Sequence, residues 1–475
     1  MRIQVVLAVL LTAVLEVKAS TDTLWMGVYI NGTKVGYQHI CRSQTGDTVV
    51  THTKGLTCLR RPPGGPVAST SDVTMFETKR GIPLSFTSIQ KSSGIQSRAE
   101  GTFGVGDSVR IRVFANGKVD TLALPWPANG MLNEGIRLKC EATPPQTGDT
   151  AEYATLSIGT LAVQQVVRKV VGRKPVLLLG GTDTLFEIES KIRSNGSTIG
   201  VISYVSDDWT SKKEEIGQAG LRIEMYECPQ DSAEAGIHCY DVFSATVVTH
   251  PVGMKDVTDY GSCDYVLRLP PNVRFSSSDE QQVTVLSGTE TRVSVKKVGI
   301  GRGVRFPLPA TPQDKQMFLS PSVYIQSEDS LIKEYTRTAI GHSRYARRAL
   351  RRISSFVRST IVPSLEVGYA TARETAYSKK GDCTEFALLT TAMCRAAGIP
   401  ARVANGLTSV PPTGDFYYHA WTQVFIGGKW ISIDPAMRRF DPGHIAISYS
   451  SDGRPSLGVM EVIGDLRIIS ASPSN

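Results

Sequence analysis

A cysteine, a histidine and an aspartate in the last quarter of this 475-residue chain have the types and spacing for covalent catalysis at a carbonyl. Cys383 follows Gly381 and Asp382, a turn and an N-cap, and opens an apolar run that Gly398 and Pro400 close. The run predicts a helix to about Ala397 with Cys383 in its first turn. Unpaired N–H groups and the helix dipole there favour a thiolate, and the same N–H groups could hold the oxyanion of an acyl intermediate.

At about 100° per residue, Cys383, Ala387, Thr390 and Cys394 fall on one stripe, flanked by Phe386, Leu389, Met393 and Ala397. Only the side with Thr384, Thr391 and Arg395 is polar, so the helix is expected to be almost fully buried with its cysteine exposed at the tip. Cys394 reads as a buried structural cysteine. Glu385 projects onto the apolar side and needs a partner there. Arg402, on the strand that returns after Pro400, is the candidate, in a structural role.

Downstream, residues 417–426 and 429–434 alternate as two strands joined at Gly427-Gly428, a hairpin signal. A symmetric turn pairs Ile426 with Lys429, Trp421 with Asp434 and His419 with Ala436. His419, Trp421 and Asp434 then share a face, with His419 and Asp434 as diagonal neighbours. A histidine on a strand is usually structural; its joint occurrence with Cys383 and an orienting acid points to a cysteine–histidine–aspartate set. Trp421 either walls the site or packs the core, and Tyr417 and Tyr418 share that ambiguity.

Four blocks carry a more specific likeness: Gly381 to Ala387, Arg395 to Arg402, His419-Ala420-Trp421, and Trp430 to Pro435. In this order and spacing they resemble the motif blocks of the transglutaminase-like superfamily, exported bacterial type, over about residues 320–450. The resemblance implies a papain-like α+β core with Cys383 as nucleophile, His419 as general base and acid, and Asp434 as orienting carboxylate. The block Asp441-Pro442-Gly443-His444 resembles one that often follows that aspartate, where His444 would be structural. The superfamily includes cross-linking acyltransferases, peptidases, amidases and inactive members. It therefore implies chemistry on amide or peptide bonds through an acyl-thioester, and not a substrate. Hydrolysis is expected over cross-linking, because free amines are dilute outside a cell; the competing reading is an envelope scaffold with a vestigial triad. No metal-ligand motif is present, and no metal or other cofactor is expected.

The rest of the chain frames this region. Arg2 and the apolar run Ile3 to Leu15 form a secretory signal with cleavage expected near Ser20, too short for a membrane span. No later stretch reaches that length, so no transmembrane segment is expected after cleavage, and the protein should be periplasmic, secreted or envelope-associated. The partner is then a protein or peptide substrate, cell-envelope peptides included, and no nucleic acid: a charge of +8 is modest at this size. Apolar residues are 41% and charged residues 20%, ordinary globular values. From 20 to 240 short runs alternate with turns such as Asn31-Gly32, which predicts a β-rich domain of antiparallel sheets. Residues 241–318 are long enough for a small β-sandwich and end in a linker with Pro307, Pro309 and Pro312. Residues 319–475 carry the catalytic core, opened by helices near 327–340 and 343–360. The second bears Arg344, Arg347, Arg348, Arg351, Arg352 and Arg358, a stripe that fits either an anionic polymer or a solvated face. Export permits disulfides among the eight cysteines; Cys41–Cys58 and Cys228–Cys239 are near in sequence, although spacing does not fix connectivity.

Overall fold

A computed structural model of the chain describes residues 23–475 apart from 61–63, 93–94, 105–106, 116, 195–196, 219–220, 252–255, 272, 302, 310–312, 366–369, 455–458 and 460–461. The expected signal sequence and part of the proline-rich linker lie outside the described residues. The chain divides into two compact units, one ending at Val242 and the other spanning Phe243–Asn475.

The N-terminal unit is β-rich and antiparallel. Asn31 and Gly32 both take positive φ, 47° and 79°, so the strand Thr23–Ile30 turns tightly into Thr33–Thr45 with Ile30 opposite Thr33. From there each strand pairs with the next as far as Lys118–Pro125. A helix, Asn133–Glu141, separates this meander from a second one that runs from Thr150–Ser157 to Leu221–Glu227. The last strand pairs with the first, Met26 opposite Glu227, which fuses both meanders into one sheet. Period-two burial is clear in Ala162–Leu178, where Val166 and Val170 are buried and Val171 is exposed.

One disulfide joins Cys58 to Cys239 across 181 residues of sequence, and neither of the two local pairings occurs. The physical reason is tertiary: Tyr240 and Asp241 pair in parallel with Leu59 and Arg60, which brings the two cysteines side by side. Cys41 and Cys228 are free thiols.

In the C-terminal unit a four-stranded sheet has the order Gln281–Val285, Glu290–Lys296, Ser262–Arg268, Arg467–Ser474. Its last strand comes from the far end of the sequence, with Ser262 opposite Ser474 and Arg268 opposite Arg467. Between these strands in sequence lies an α+β core. Helices Ser330–Ile340, Ala346–Thr360, Ala372–Ser378 and Cys383–Ala396 accompany a sheet ordered Lys429–Ile433, Phe416–Ile426, Ala401–Ser409, His444–Ser450.

Local chemistry sets the helix ends. Asp329 caps the first helix by accepting the Leu331 N–H at 2.9 Å, within the segment 327–331 expected to open it. Thr371 and Glu374 form a reciprocal capping box on the third. The arginine-rich helix buries Ala346, Leu350, Ile353 and Val357 while Arg347, Arg348, Arg351 and Arg358 stay exposed. These apolar residues join Leu388, Leu389, Met393, Ile399, Val403 and Val424 in one core. Among the described residues no helix is long and apolar enough to cross a membrane.

Candidate active site

The cysteine helix begins as its sequence requires. Asp382 accepts the Thr384 N–H at 2.8 Å, and Glu385 reaches back to accept the Asp382 N–H at 2.9 Å. Gly381 makes this fold-back possible: a Cβ there would stand 2.3 Å from Cβ of Glu385. Residues Thr384 to Arg395 are all buried, and Cys383, at the N-terminal tip, is partly exposed. Burial pushes the Cys394 thiol far above the ordinary range, which leaves it inert.

Glu385 and Arg402 do not pair. The Glu385 carboxyl accepts the N–H groups of Asp382 and Ala370, and burial, with Asp382 beside it, raises it well above the usual carboxylate range. Arg402 instead donates twice to Gln423 Oε1, at 3.0 and 2.7 Å, with its guanidinium 4.0 Å from the Trp430 ring centre and 3.8 Å from that of Tyr449. Strand alternation explains the separation. Ala401 and Val403 face the helix core, so Arg402 between them points to the other side of the sheet. Because the two residues share no partner, Glu385→Ala and Arg402→Ala should act additively on denaturant midpoints, to within about 0.5 kcal/mol. Glu385→Ala should cost about 1–3 kcal/mol for each buried N–H it orphans. A coupling energy above about 1 kcal/mol in that cycle would contradict the separation.

The hairpin register is the one expected from its turn. Gly427 and Gly428 take φ of 62° and 79°, Ile426 stands opposite Lys429, and pairing continues to Thr422 opposite Ile433. This carries Asp434 alongside His419, whose Nε2 lies 2.6 Å from Asp434 Oδ2. Cys383 is hydrogen-bonded to the same imidazole. With Nε2 committed to Asp434, the thiol is served by Nδ1. The structure thus brings Cys383, His419 and Asp434 together.

The electrostatics of the three are coupled. Burial works against a charged His419, but the facing charges of Asp434 and then Cys383 outweigh it and lift the imidazole to about 10. Burial likewise opposes the Asp434 anion, yet His419 and His444 hold that carboxyl well below the usual range. At Cys383, burial and Asp382 oppose the thiolate while the charge and hydrogen bond of His419 favour it.

Trp421 is buried behind the site rather than lining an opening. Its Nε1 donates to Ser432 Oγ at 3.0 Å, and its ring lies nearly parallel to that of His419, 18° between planes. Tyr418 is also core, donating its hydroxyl to the Val462 carbonyl, and Tyr417 is half-buried.

Of the other residues around the triad, His444 stood in a block that the sequence singled out, with a structural role expected. His444 is not remote from the chemistry: its Nε2 lies 3.0 Å from Asp434 Oδ2, the oxygen that His419 uses. Three residues from the small-sheet region hold the surrounding segments. Tyr265 donates to the Pro442 carbonyl at 2.8 Å, Gln281 exchanges two hydrogen bonds with the Ala446 backbone, and Glu280 accepts the Ser432 N–H. The nearest sequence sign of any of this was the Asp441-to-His444 block. Donor atoms of His419, Asp434 and His444 lie within 4.8 Å of one another, a spacing that could surround a cation. Both imidazoles are nevertheless spent on the one Asp434 oxygen, and the arrangement reads as a proton-linked chain.

The site thus consists of a partly exposed cysteine at a helix tip, bonded to an imidazole that a buried carboxylate orients. Residues 333–435 match the family model of the transglutaminase-like superfamily. This region is a transglutaminase-like core domain. The domain holds all three triad residues, and such a set is the equipment of a cysteine-dependent enzyme. No curated protein matches the chain at a significant level. Solved structures similar to it include a candidate cysteine protease from Cytophaga hutchinsonii, 21% identical, covering 45% of this chain and 86% of its own, with a TM-score of 0.32. Another is a beta-barrel-like protein from Brucella abortus, 10% identical over 43% of this chain and 94% of its own, TM-score 0.35. A third is a TGase, 15% identical over 34% of this chain and 44% of its own, TM-score 0.19.

Proposed function

We propose that the protein is an exported enzyme that cleaves amide or peptide bonds of a protein or peptide substrate through an acyl-thioester on Cys383. The observation that carries this reading is the continuous hydrogen-bonded path from Cys383 through His419 to buried Asp434. The thiolate attacks the carbonyl carbon, and His419 passes its proton to the departing amine as the C–N bond breaks. Water then adds to the thioester with His419 as base, releasing the acid and restoring the thiol. Hydrolysis is favoured because an amine must compete with water at roughly 55 M, which requires a site that excludes water and positions the amine. The aromatic residues near His419 are engaged in packing and hydrogen bonds, so they supply no evident amine platform.

Export is supported by the character of the first 15 residues and, separately, by the Cys58–Cys239 disulfide, a bond that persists in oxidising compartments.

Two measurements test the reading. Limited alkylation with iodoacetamide near pH 6, followed by peptide mapping, should mark Cys383 well before Cys394; equal or slower labelling of Cys383 would remove the nucleophile. The protein should then be incubated with a peptidyl-amide library, with and without a labelled primary amine. Acid products should dominate. Dominant amine incorporation would overturn hydrolysis, and absence of both products would favour a scaffold with a vestigial triad.

A further inference from the structure

We propose that His444 is a positioning residue of the same site: a permanently charged imidazolium clamped between Asp434 and Asp441, which divides the Asp434 carboxylate with His419 and so limits the basicity of His419. The inference rests on the triad reading above and adds to it a fourth and fifth member.

The geometry of Asp434 is the starting point. Its Oδ1 accepts the N–H groups of Ala436 and Met437, at 2.9 and 3.1 Å, which fixes the plane of the carboxylate. Its Oδ2 receives His419 Nε2 at 2.6 Å and His444 Nε2 at 3.0 Å. Four donors fill the four lone-pair positions of the group. A triad carboxylate that served His419 alone would lend it the whole of its charge; this one cannot.

The opposite edge of the His444 ring fixes its charge. Nδ1 lies 3.1 Å from Asp441 Oδ1 and 3.2 Å from the Asp441 carbonyl oxygen, both acceptors, while the Asp441 N–H is farther, at 3.4 Å. Each ring nitrogen therefore has a carboxylate oxygen as its nearest partner, which favours hydrogen on both over the longer contact from the Asp441 N–H. Burial alone would favour a neutral ring, and the two aspartates overcome it and raise the His444 pKa. The remaining groups around it do not reverse this. They are Thr408 Oγ1 at 3.5 Å, the Trp421, Phe440 and His419 rings, and buried Glu280, whose own carboxyl burial raises to about 7. A histidine that merely filled core volume would need neither carboxylate.

The consequence concerns proton transfer. The ring centres of His444 and His419 are 5.8 Å apart, so a charge on the first disfavours a charge on the second, and the shared oxygen stabilises protonated His419 less. The imidazolium of His419 then surrenders its proton more readily to a departing amine, as a general acid must.

The test follows His419 by NMR in uniformly ¹⁵N-histidine-labelled full-length protein. Cys383→Ala serves as the background, because removing the thiolate brings the His419 titration toward neutral pH. In wild type at pH 7 both His444 nitrogens should show imidazolium shifts; a neutral tautomer would overturn the proposal. In the background, His444→Gln keeps a donor toward Asp434 but removes the charge, and the His419 midpoint should rise by at least about half a pH unit. Asp441→Asn retains the ring and covers the case in which the Gln variant does not fold. It should let His444 lose its proton and move the His419 midpoint the same way. An unchanged midpoint in either folded variant would reduce His444 to packing. Failure of the triad reading is separately visible: Cys383→Ala alone would then leave His419 unmoved.

Discussion

Asp434→Asn should retain the fold and lower kcat by roughly 10³–10⁴, by analogy with the serine triads in which the equivalent change has that effect. The asparagine oxygen can keep the two backbone N–H groups of Ala436 and Met437 that now bond Oδ1, so the turn after the hairpin survives. Its NH₂ then replaces Oδ2 and presents donors to two imidazole nitrogens that are themselves donors. His419 must either lose that hydrogen bond or move its proton to the nitrogen that serves Cys383, the wrong one for accepting a proton from the thiol. Turnover of a peptidyl-amide and the rate of Cys383 alkylation at pH 6 should both fall in protein that still unfolds cooperatively, at a melting temperature lowered by the two buried imidazoles that lose their acceptor. Near-wild-type turnover in the Asn variant would remove Asp434 from the mechanism.

The second large effect concerns the N-terminal unit. Cys58→Ser should destabilise this unit by roughly 2–5 kcal/mol, because the lost cross-link closes a long loop and the unfolded chain regains its freedom. The pairing of Tyr240 and Asp241 with Leu59 and Arg60 would then rest on non-covalent contacts, among them this short ladder and the Asn31 Nδ2 donation to the Tyr240 hydroxyl at 2.9 Å. The measurement is the denaturant midpoint of the oxidised protein against the variant, with Cys41→Ser as the control for loss of a thiol that is not bridged. Equal midpoints for Cys58→Ser and the oxidised protein would show that the bond adds nothing to stability.

How much of this was legible in the sequence follows the range of the interactions. The first turn of the cysteine helix depends on residues within four positions of Cys383, and Gly381, Asp382 and Glu385 announce it. The His419–Asp434 approach depends only on a two-residue turn and strict alternation, so Gly427-Gly428 sufficed to set the register. The Glu385–Arg402 assignment failed for a comparable reason in reverse. It followed charge complementarity, whereas the alternation of Ala401, Arg402 and Val403 placed the guanidinium on the other face. His444 lay in a recognised block, yet its ring reaches Asp434 only after the strand His444–Ser450 has paired beside Ala401–Ser409. Glu280 and Gln281 are more than 140 residues from Gln423 and Ala446, which they hold, and nothing local marks a glutamine that bridges a distant strand. The disulfide belongs to the same class.

The strand Arg467–Ser474 has a consequence for the order in which the C-terminal unit is assembled. Its partner, Ser262–Arg268, precedes the entire transglutaminase-like core in the chain, so the two strands meet only by closing a loop of about 200 residues. For a flexible chain that closure costs roughly 5 kcal/mol of entropy at (3/2)RT ln n. A collapsed core shortens the effective loop, and the sheet therefore zips after the core has condensed. The final strand acts as a latch on a finished catalytic domain. Without it, Ser262–Arg268 would present an open edge to any other chain in extended conformation, while the hydrogen bonds between His419, Asp434 and His444 would still be in place.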